Sequence, residues 1–166
     1  PAFATTGNPL LAPWTGPHGG LPAWDKVKVA DFKPALEAAM AENLAEIDAI
    51  TANPAPPSFA NTIAALEDAG RTLGRLYRYY GVWSSNMSSP EFQAVEEEMD
   101  PKLSAFSDKI NQNEKLFARI KAVYDTRGAA GLTDEQKRVI WVYYDGFVRS
   151  GALLSPAAKT RVAAIN

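Results

Sequence analysis

From residue 31 onwards, apolar side chains recur at steps of three and four. Phe32, Leu36, Met40, Asn43 with Leu44, Ile47 and Ile50 fall on one stripe of a helix. Asp31 is placed as its N-cap, and Pro34 lies in the first turn, where a missing N–H does no harm. Asn53-Pro54 and Pro56-Pro57 end the segment. A second helix is read through Phe59, Ile63, Leu66, Gly70, Leu73, Tyr77 and Tyr80, a narrow seam suited to an antiparallel neighbour. A glycine inside a helix costs roughly 1 kcal/mol relative to alanine, so Gly70 points to a close helix crossing. Ser84 to Ser89 read as a polar turn.

Ser89-Pro90-Glu91 opens a third helix with the stripe Phe92, Val95, Met99, Leu103, Phe106 and Ile110. Pro101 is expected to kink or split it. Asn111 to Asn113 mark a boundary, and a shorter helix follows with Leu116, Phe117, Ile120, Val123 and Tyr124 inside. After the loop Gly128-Ala129-Ala130-Gly131, Thr133-Asp134-Glu135-Gln136 is a capping box for a fifth helix. Ser155-Pro156 starts a sixth, with Val162 and Ile165 turned inward and no stop signal after them. No strand-period run and no solenoid repeat is present. The pattern predicts an all-α fold, an irregular antiparallel helical bundle of about five or six helices. The helical domain is assigned to residues 31–166 and reads as truncated at its C-terminal end. Residues 1–30 form a Pro/Gly-rich extended arm, whose Leu10, Leu11, Trp14 and Trp24 suggest packing on the domain.

Two helices carry more apolar surface than a simple bundle uses. Tyr77, Tyr79, Tyr80, Val82 and Trp83 cluster in one; Val139 to Val148 cover most of the circumference of the other. A helix that is apolar nearly all round is buried on several sides, so the chain is expected to pack against a further partner. A compact bundle with a central fifth helix is the alternative. At helical spacing these aromatic residues read as core before they read as the lining of a peptide groove.

Composition narrows the chemistry. The 166 residues are 46% hydrophobic and 22% charged, with a net charge of −2, which gives no reason to expect a nucleic acid or an anionic membrane as partner. No run of ~20 apolar residues spans a bilayer. The absence of cysteine excludes disulfides, a thiolate nucleophile and cysteine-based zinc modules. Ala2-Phe3-Ala4 has the A-x-A form of a signal-peptide end and points towards an exported protein, with a cytoplasmic one the alternative. His18, the one imidazole, sits in a Gly-Pro loop without a nucleophile signature. Glu96-Glu97-Glu98 with Asp100 is the densest carboxylate cluster, but consecutive helical residues diverge, so it reads as a solvated face. Gly128 to Gly131 lacks the G-K-[ST] ending of a phosphate loop. No catalytic, cofactor-binding or metal-ligating residue is therefore assigned.

Several blocks carry a resemblance. Asn8-Pro9-Leu10-Leu11, Trp14-Thr15-Gly16-Pro17, Pro22-Ala23-Trp24-Asp25 and Asp31-Phe32-Lys33-Pro34-Ala35 come in order, then Glu46 to Ile50, Asn53 to Phe59 and Asn61 to Glu67. Asn113 to Arg119, Phe147 to Leu154 and Lys159 to Asn166 continue it. Together they resemble the N-terminal region of the thimet-oligopeptidase group of zinc metallopeptidases, particularly bacterial peptidyl-dipeptidase (dipeptidyl carboxypeptidase) and oligopeptidase A. His18-Gly19-Gly20 departs from that pattern, which has an aromatic residue after Gly-Pro. The resemblance implies a zinc enzyme cleaving short peptides, with the metal on a helical H-E-x-x-H motif that this chain lacks. It implies that this region is itself non-catalytic and forms part of one wall of a channel above the zinc. The expected partners are then the catalytic domain of the same polypeptide and short peptides. A stand-alone helical interaction module of the same ancestry is the rival reading.

Overall fold

The computed structural model describes residues 7–18, 20–129 and 131–163. The A-x-A segment and Ile165 lie outside the described residues. Among those described, the regular structure is helical, apart from an isolated bridge between Thr15 and Leu21. The fold is all-α. The helices are α1 (Phe32–Thr51), α2 (Ala65–Asp68), α3 (Arg71–Asn86), α4 (Pro90–Asn111), α5 (Glu114–Thr126), α6 (Asp134–Arg149) and α7 (Pro156–Ala163). The chain groups into two compact units. One comprises residues up to Leu44 with Gly70–Leu103; the other comprises Ala45–Ala69 with the residues from Ser104 on.

In the first unit the predicted stripes of α1 and α4 are buried: Phe32, Leu36 and Met40 on one, Phe92 and Met99 on the other. Phe32 is the hub of an aromatic cluster, with ring centroids 5.1 Å from Phe92, 5.2 Å from Trp83 and 6.1 Å from Tyr80. The segment before α1 adds Trp24, 4.8 Å from Tyr79 and stacked on Trp83 at 5.8 Å, while Trp14 meets Tyr79 edge-on. Such aromatic pairs contribute about 0.5–1.5 kcal/mol each beyond area burial. Hydrogen bonds fix the segment in place: Asn8 Nδ2 donates to the Asp31 carbonyl (2.9 Å) and the Ala23 N–H donates to Tyr79 Oη (2.8 Å).

Three expectations need correction here, and a fourth is narrowed. Asp31 does not cap α1; its carboxylate accepts from the Lys28 N–H (2.8 Å), because a 3-10 turn over Val29–Asp31 runs directly into the helix. Gly70 is not inside a helix. Ala69 is extended and Gly70 left-handed (φ +70), so the chain breaks between α2 and α3 and the helical phase restarts at Arg71. The buried face of α3 is consequently Leu73, Leu76, Tyr79 and Trp83, and Tyr77 is 39% exposed. The close approach at Gly70 is real, since a Cβ there would lie 3.1 Å from Asn43 Nδ2. Ser84 to Asn86 belong to α3, with Ser85 Oγ donating back to the Gly81 carbonyl, and the turn shrinks to Met87–Ser89. Finally, Pro101 does not split α4; a proline removes one helical hydrogen bond, and Met99 and Phe106 remain buried on either side.

The second unit is built on Ile47, Ile50, Ile63, Leu116, Ile120, Val123, Ile140 and Phe147. Its helix starts carry polar caps, of which the sequence predicts the Thr133–Gln136 box. Asn113 Oδ1 accepts from the Leu116 N–H (3.0 Å), Thr133 and Gln136 form the reciprocal capping box, and Ser155 Oγ accepts from the Ala158 N–H. A π-helical turn over Phe59–Ala64, capped by Ser58, leads into α2. The N–H of Ser58 donates to Asn61 Oδ1 (2.9 Å), and that of Asn61 donates to Ser58 Oγ (3.2 Å). α6 buries Ile140 and Phe147 but leaves Trp141 36% and Val142 50% exposed, so it is not enclosed all round.

The segment leading to α1 gives a paired test. Gly20 has φ +103, and a Cβ on it would sit 2.6 Å from the Trp14 carbonyl carbon, whereas a Cβ on helical Gly74 meets nothing within 4 Å. Gly20→Ala is expected to destabilise the fold by ~2 kcal/mol or more. Gly74→Ala should stabilise it by ~0.5–1 kcal/mol. Urea unfolding followed by circular dichroism measures both.

Candidate functional site

The chemistry-bearing residues are dispersed. His18 is an exposed loop residue in the left-handed region (φ 58). Gly131 is likewise left-handed (φ +62) and lies in the loop that follows α5, with no strand before it to make a phosphate cradle. The acidic run on α4 is divided among separate partners. Glu98 Oε1 pairs with Lys33 (2.7 Å) and Lys102 (3.0 Å), and Lys102 also reaches Glu37 (2.7 Å). Asp100 instead accepts from Tyr80 Oη (3.0 Å). Hydrogen bonds from Lys33, then Lys102, hold the Glu98 carboxyl below its usual range; those from Lys102 to Glu37 and Glu98 raise the Lys102 ammonium.

Two phenols carry carboxylate partners. Tyr80 bonds Asp100, and Tyr143 Oη donates to Glu67 (2.7 Å). Burial first, and the hydrogen-bonded carboxylate second, push both far up. Neither phenol can serve as a base near neutrality.

The polar residue that sequence reasoning missed is Arg119 on α5, only 8% exposed. Its Nη1 donates to the carbonyls of Asn53 (2.9 Å) and Ala55 (3.4 Å), and its Nη2 to Asn61 Oδ1 (3.0 Å). The available signal was its position among Leu116, Ile120 and Val123, on the inner stripe of the helix. Nucleophile and general base, the pairing that covalent catalysis needs, do not come together at this residue: its bonds go to the proline-rich segment and serve structure. Arg119→Met should cost about 3 kcal/mol in urea unfolding, because buried oxygens lose their donor. Arg119→Lys should recover part of that loss.

Two hollows are lined by described residues that bear on the site. One, of about 620 Å³ in the first unit, is open and lined by Asn8, Pro9, Leu11, Pro13, Thr15 and Lys26 among others. The other, of about 310 Å³ in the second unit, is lined by Asp108, Asn111, Arg149, Ser150, Gly151, Leu154 and Val162. On the exposed side of α6, the Arg138 guanidinium lies 4.2 Å from the Trp141 ring centroid beside Val142, an apolar surface with a cationic edge. This face is the strongest candidate for an interaction surface.

Zinc requires imidazole, thiolate or carboxylate donors converging within bonding distance. No cysteine exists, the one histidine stands in an exposed loop, and no group of three His, Asp or Glu among the described residues is gathered to hold an ion. The residues of this chain therefore do not fit the metal that the family resemblance implies. Among the described residues no helix is long and apolar enough to cross a membrane.

The ion pairs on α4 have a testable pH signature. A carboxyl whose folded pKa is lowered contributes stability above the ordinary carboxylate range, and that contribution is lost as pH falls through the folded value. Lys102→Met removes one of the two ammonium partners of Glu98. Carbon-13 titration should show the Glu98 midpoint rising towards the ordinary glutamate value of about 4.3. The stability difference between variant and parent should narrow as the pH drops below that range.

No family model matches the chain. The curated relatives are more informative. The chain is 35% identical over 159 residues to dipeptidyl carboxypeptidase of Salmonella typhimurium, which covers 96% of this chain and 23% of the relative. Against dipeptidyl carboxypeptidase of Escherichia coli it is 35% identical over 162 residues, covering 98% and 24%. Oligopeptidase A of Salmonella typhimurium matches at 29% over 133 residues, 80% of this chain and 19% of the relative. The chain thus spans about a fifth to a quarter of these relatives, and along most of its own length it is homologous to dipeptidyl carboxypeptidase and oligopeptidase A.

Proposed function

We propose that this chain is the N-terminal helical segment of a zinc-dependent peptidyl-dipeptidase or oligopeptidase acting on short peptides. By itself it is non-catalytic, forms part of the wall of the substrate channel and docks on the catalytic domain of the same polypeptide. The observation that carries this reading is the asymmetry of the similarity: 96% of this chain aligns with dipeptidyl carboxypeptidase, yet it accounts for only 23% of that relative. The donor set supports the division of labour, since no three donors are gathered to hold an ion among the described residues and the metal would belong to the remaining polypeptide. A wall of helices suits the task physically. It can narrow access to a channel and so admit short peptides while excluding folded proteins, without supplying a reacting group.

Elemental analysis of the purified chain should find no stoichiometric zinc, and incubation with a blocked tripeptide or longer peptide should release no dipeptide. One tightly bound zinc per chain, or dipeptide release, would overturn this account. The coding sequence discriminates further: an H-E-x-x-H motif in frame downstream supports the proposal. A stop codon directly after Asn166 would favour the stand-alone interaction module.

A further inference from the structure

The tyrosines of this chain differ in their ring partners. Tyr124 of α5 and Tyr144 of α6 lie face to face, with ring centroids 3.9 Å apart and planes within 9° of parallel. The Arg127 guanidinium sits 3.6 Å from the Tyr124 ring centroid. Two groups this close cannot share one face of a ring, so Arg127 covers one side of Tyr124 and Tyr144 the other. Phe117 packs on Tyr144 in turn, at 5.8 Å and 23°. The nearest aromatic partner of each phenol is thus the other phenol. Tyr79 and Tyr80 are paired with tryptophan and phenylalanine rings. Tyr77 and Tyr143 have no ring pairing among the described residues.

We propose that Tyr124 and Tyr144 are an oxidative cross-linking site, converted by one-electron oxidants into an intramolecular dityrosine that joins α5 to α6. Each phenol gives one electron to an oxidant equivalent and one proton to water, leaving two neutral phenoxyl radicals. The unpaired density of a phenoxyl lies on oxygen and on the ortho and para carbons, and the para carbon already carries the side-chain methylene. Coupling therefore falls on ortho carbons, which face-to-face rings hold above the neighbour's π system. One carbon–carbon bond forms, the hydrogens on the joined carbons shift to the oxygens, and both rings regain aromaticity. The product has two hydrogen atoms fewer than the starting chain. Arg127 and Phe117 screen the pair from other partners, which favours coupling within the chain over coupling between chains.

The test uses the whole chain in dilute solution, illuminated with tris(bipyridine)ruthenium(II) and persulfate as the one-electron oxidant. The expected product is a monomer two hydrogens lighter, with dityrosine fluorescence and a joined peptide pair containing Tyr124 and Tyr144. Tyr124→Phe and Tyr144→Phe keep the stacked rings, and each should bring intramolecular dityrosine down to the unilluminated background. Tyr77→Phe and Tyr143→Phe should leave it unchanged, and circular dichroism checks that all four variants retain the helical content of the parent. Persistence of the intramolecular cross-link in both Tyr124→Phe and Tyr144→Phe would overturn the assignment. So would oxidation of the parent that only adds oxygen and joins no rings.

Discussion

The second unit depends on how one buried guanidinium satisfies a stretch of chain that cannot satisfy itself. Between α1 and the π-helical turn, Pro54, Pro56 and Pro57 have no N–H to donate, yet the carbonyls around them are partly withdrawn from water and need donors. Arg119 supplies them to Asn53 and Ala55, and Asn61 Nδ2 donates to the Pro56 carbonyl. Asn61 Oδ1 is the common acceptor, receiving Arg119, the Ser58 N–H and the Thr62 hydroxyl. This network fixes where the chain returns after α1. It therefore fixes how Ile63 meets Ile47 and Ile50 beside Leu116 and Ile120 in one core.

The helical stripes of α1, α4 and α5 were legible in the sequence because periodicity reports directly on one buried face. The phase of α3 was not legible: spacing ran smoothly through Gly70, while the left-handed backbone there reset the register and turned Tyr77 outward. Asp31 misled for a similar reason, since its carboxylate had a choice of N–H groups and took the one upstream. Arg119 escaped because its partners lie 58 to 66 residues away, beyond the reach of any local pattern. The family likeness was readable from short blocks of residues, many of them in turns and caps where backbone geometry restricts the choice of side chain.

Several polar groups among the described residues are engaged in holding structure. Glu98 is shared between two ammonium groups, Tyr80 and Tyr143 are tied to carboxylates, and Asn113, Thr133 and Ser155 close helix ends. Side chains committed in this way shape and stiffen a surface. The outer side of α6 is different, with Trp141 and Val142 exposed. Recognition there would rest on shape and on the cationic edge of Arg138 against the Trp141 ring.

The aromatic cluster of the first unit has a spectroscopic consequence. Three of the four tryptophans, Trp14, Trp24 and Trp83, belong to that unit, and Trp141 alone belongs to the second. Trp24 stacks on Trp83 and lies edge-on to Tyr79, whereas Trp141 lies under a guanidinium at the surface. Indole emission is therefore a two-channel signal: without Trp141 it reports on the first unit only. Comparing the parent with a Trp141→Phe chain during denaturation separates the melting of one unit from that of the other without any added label.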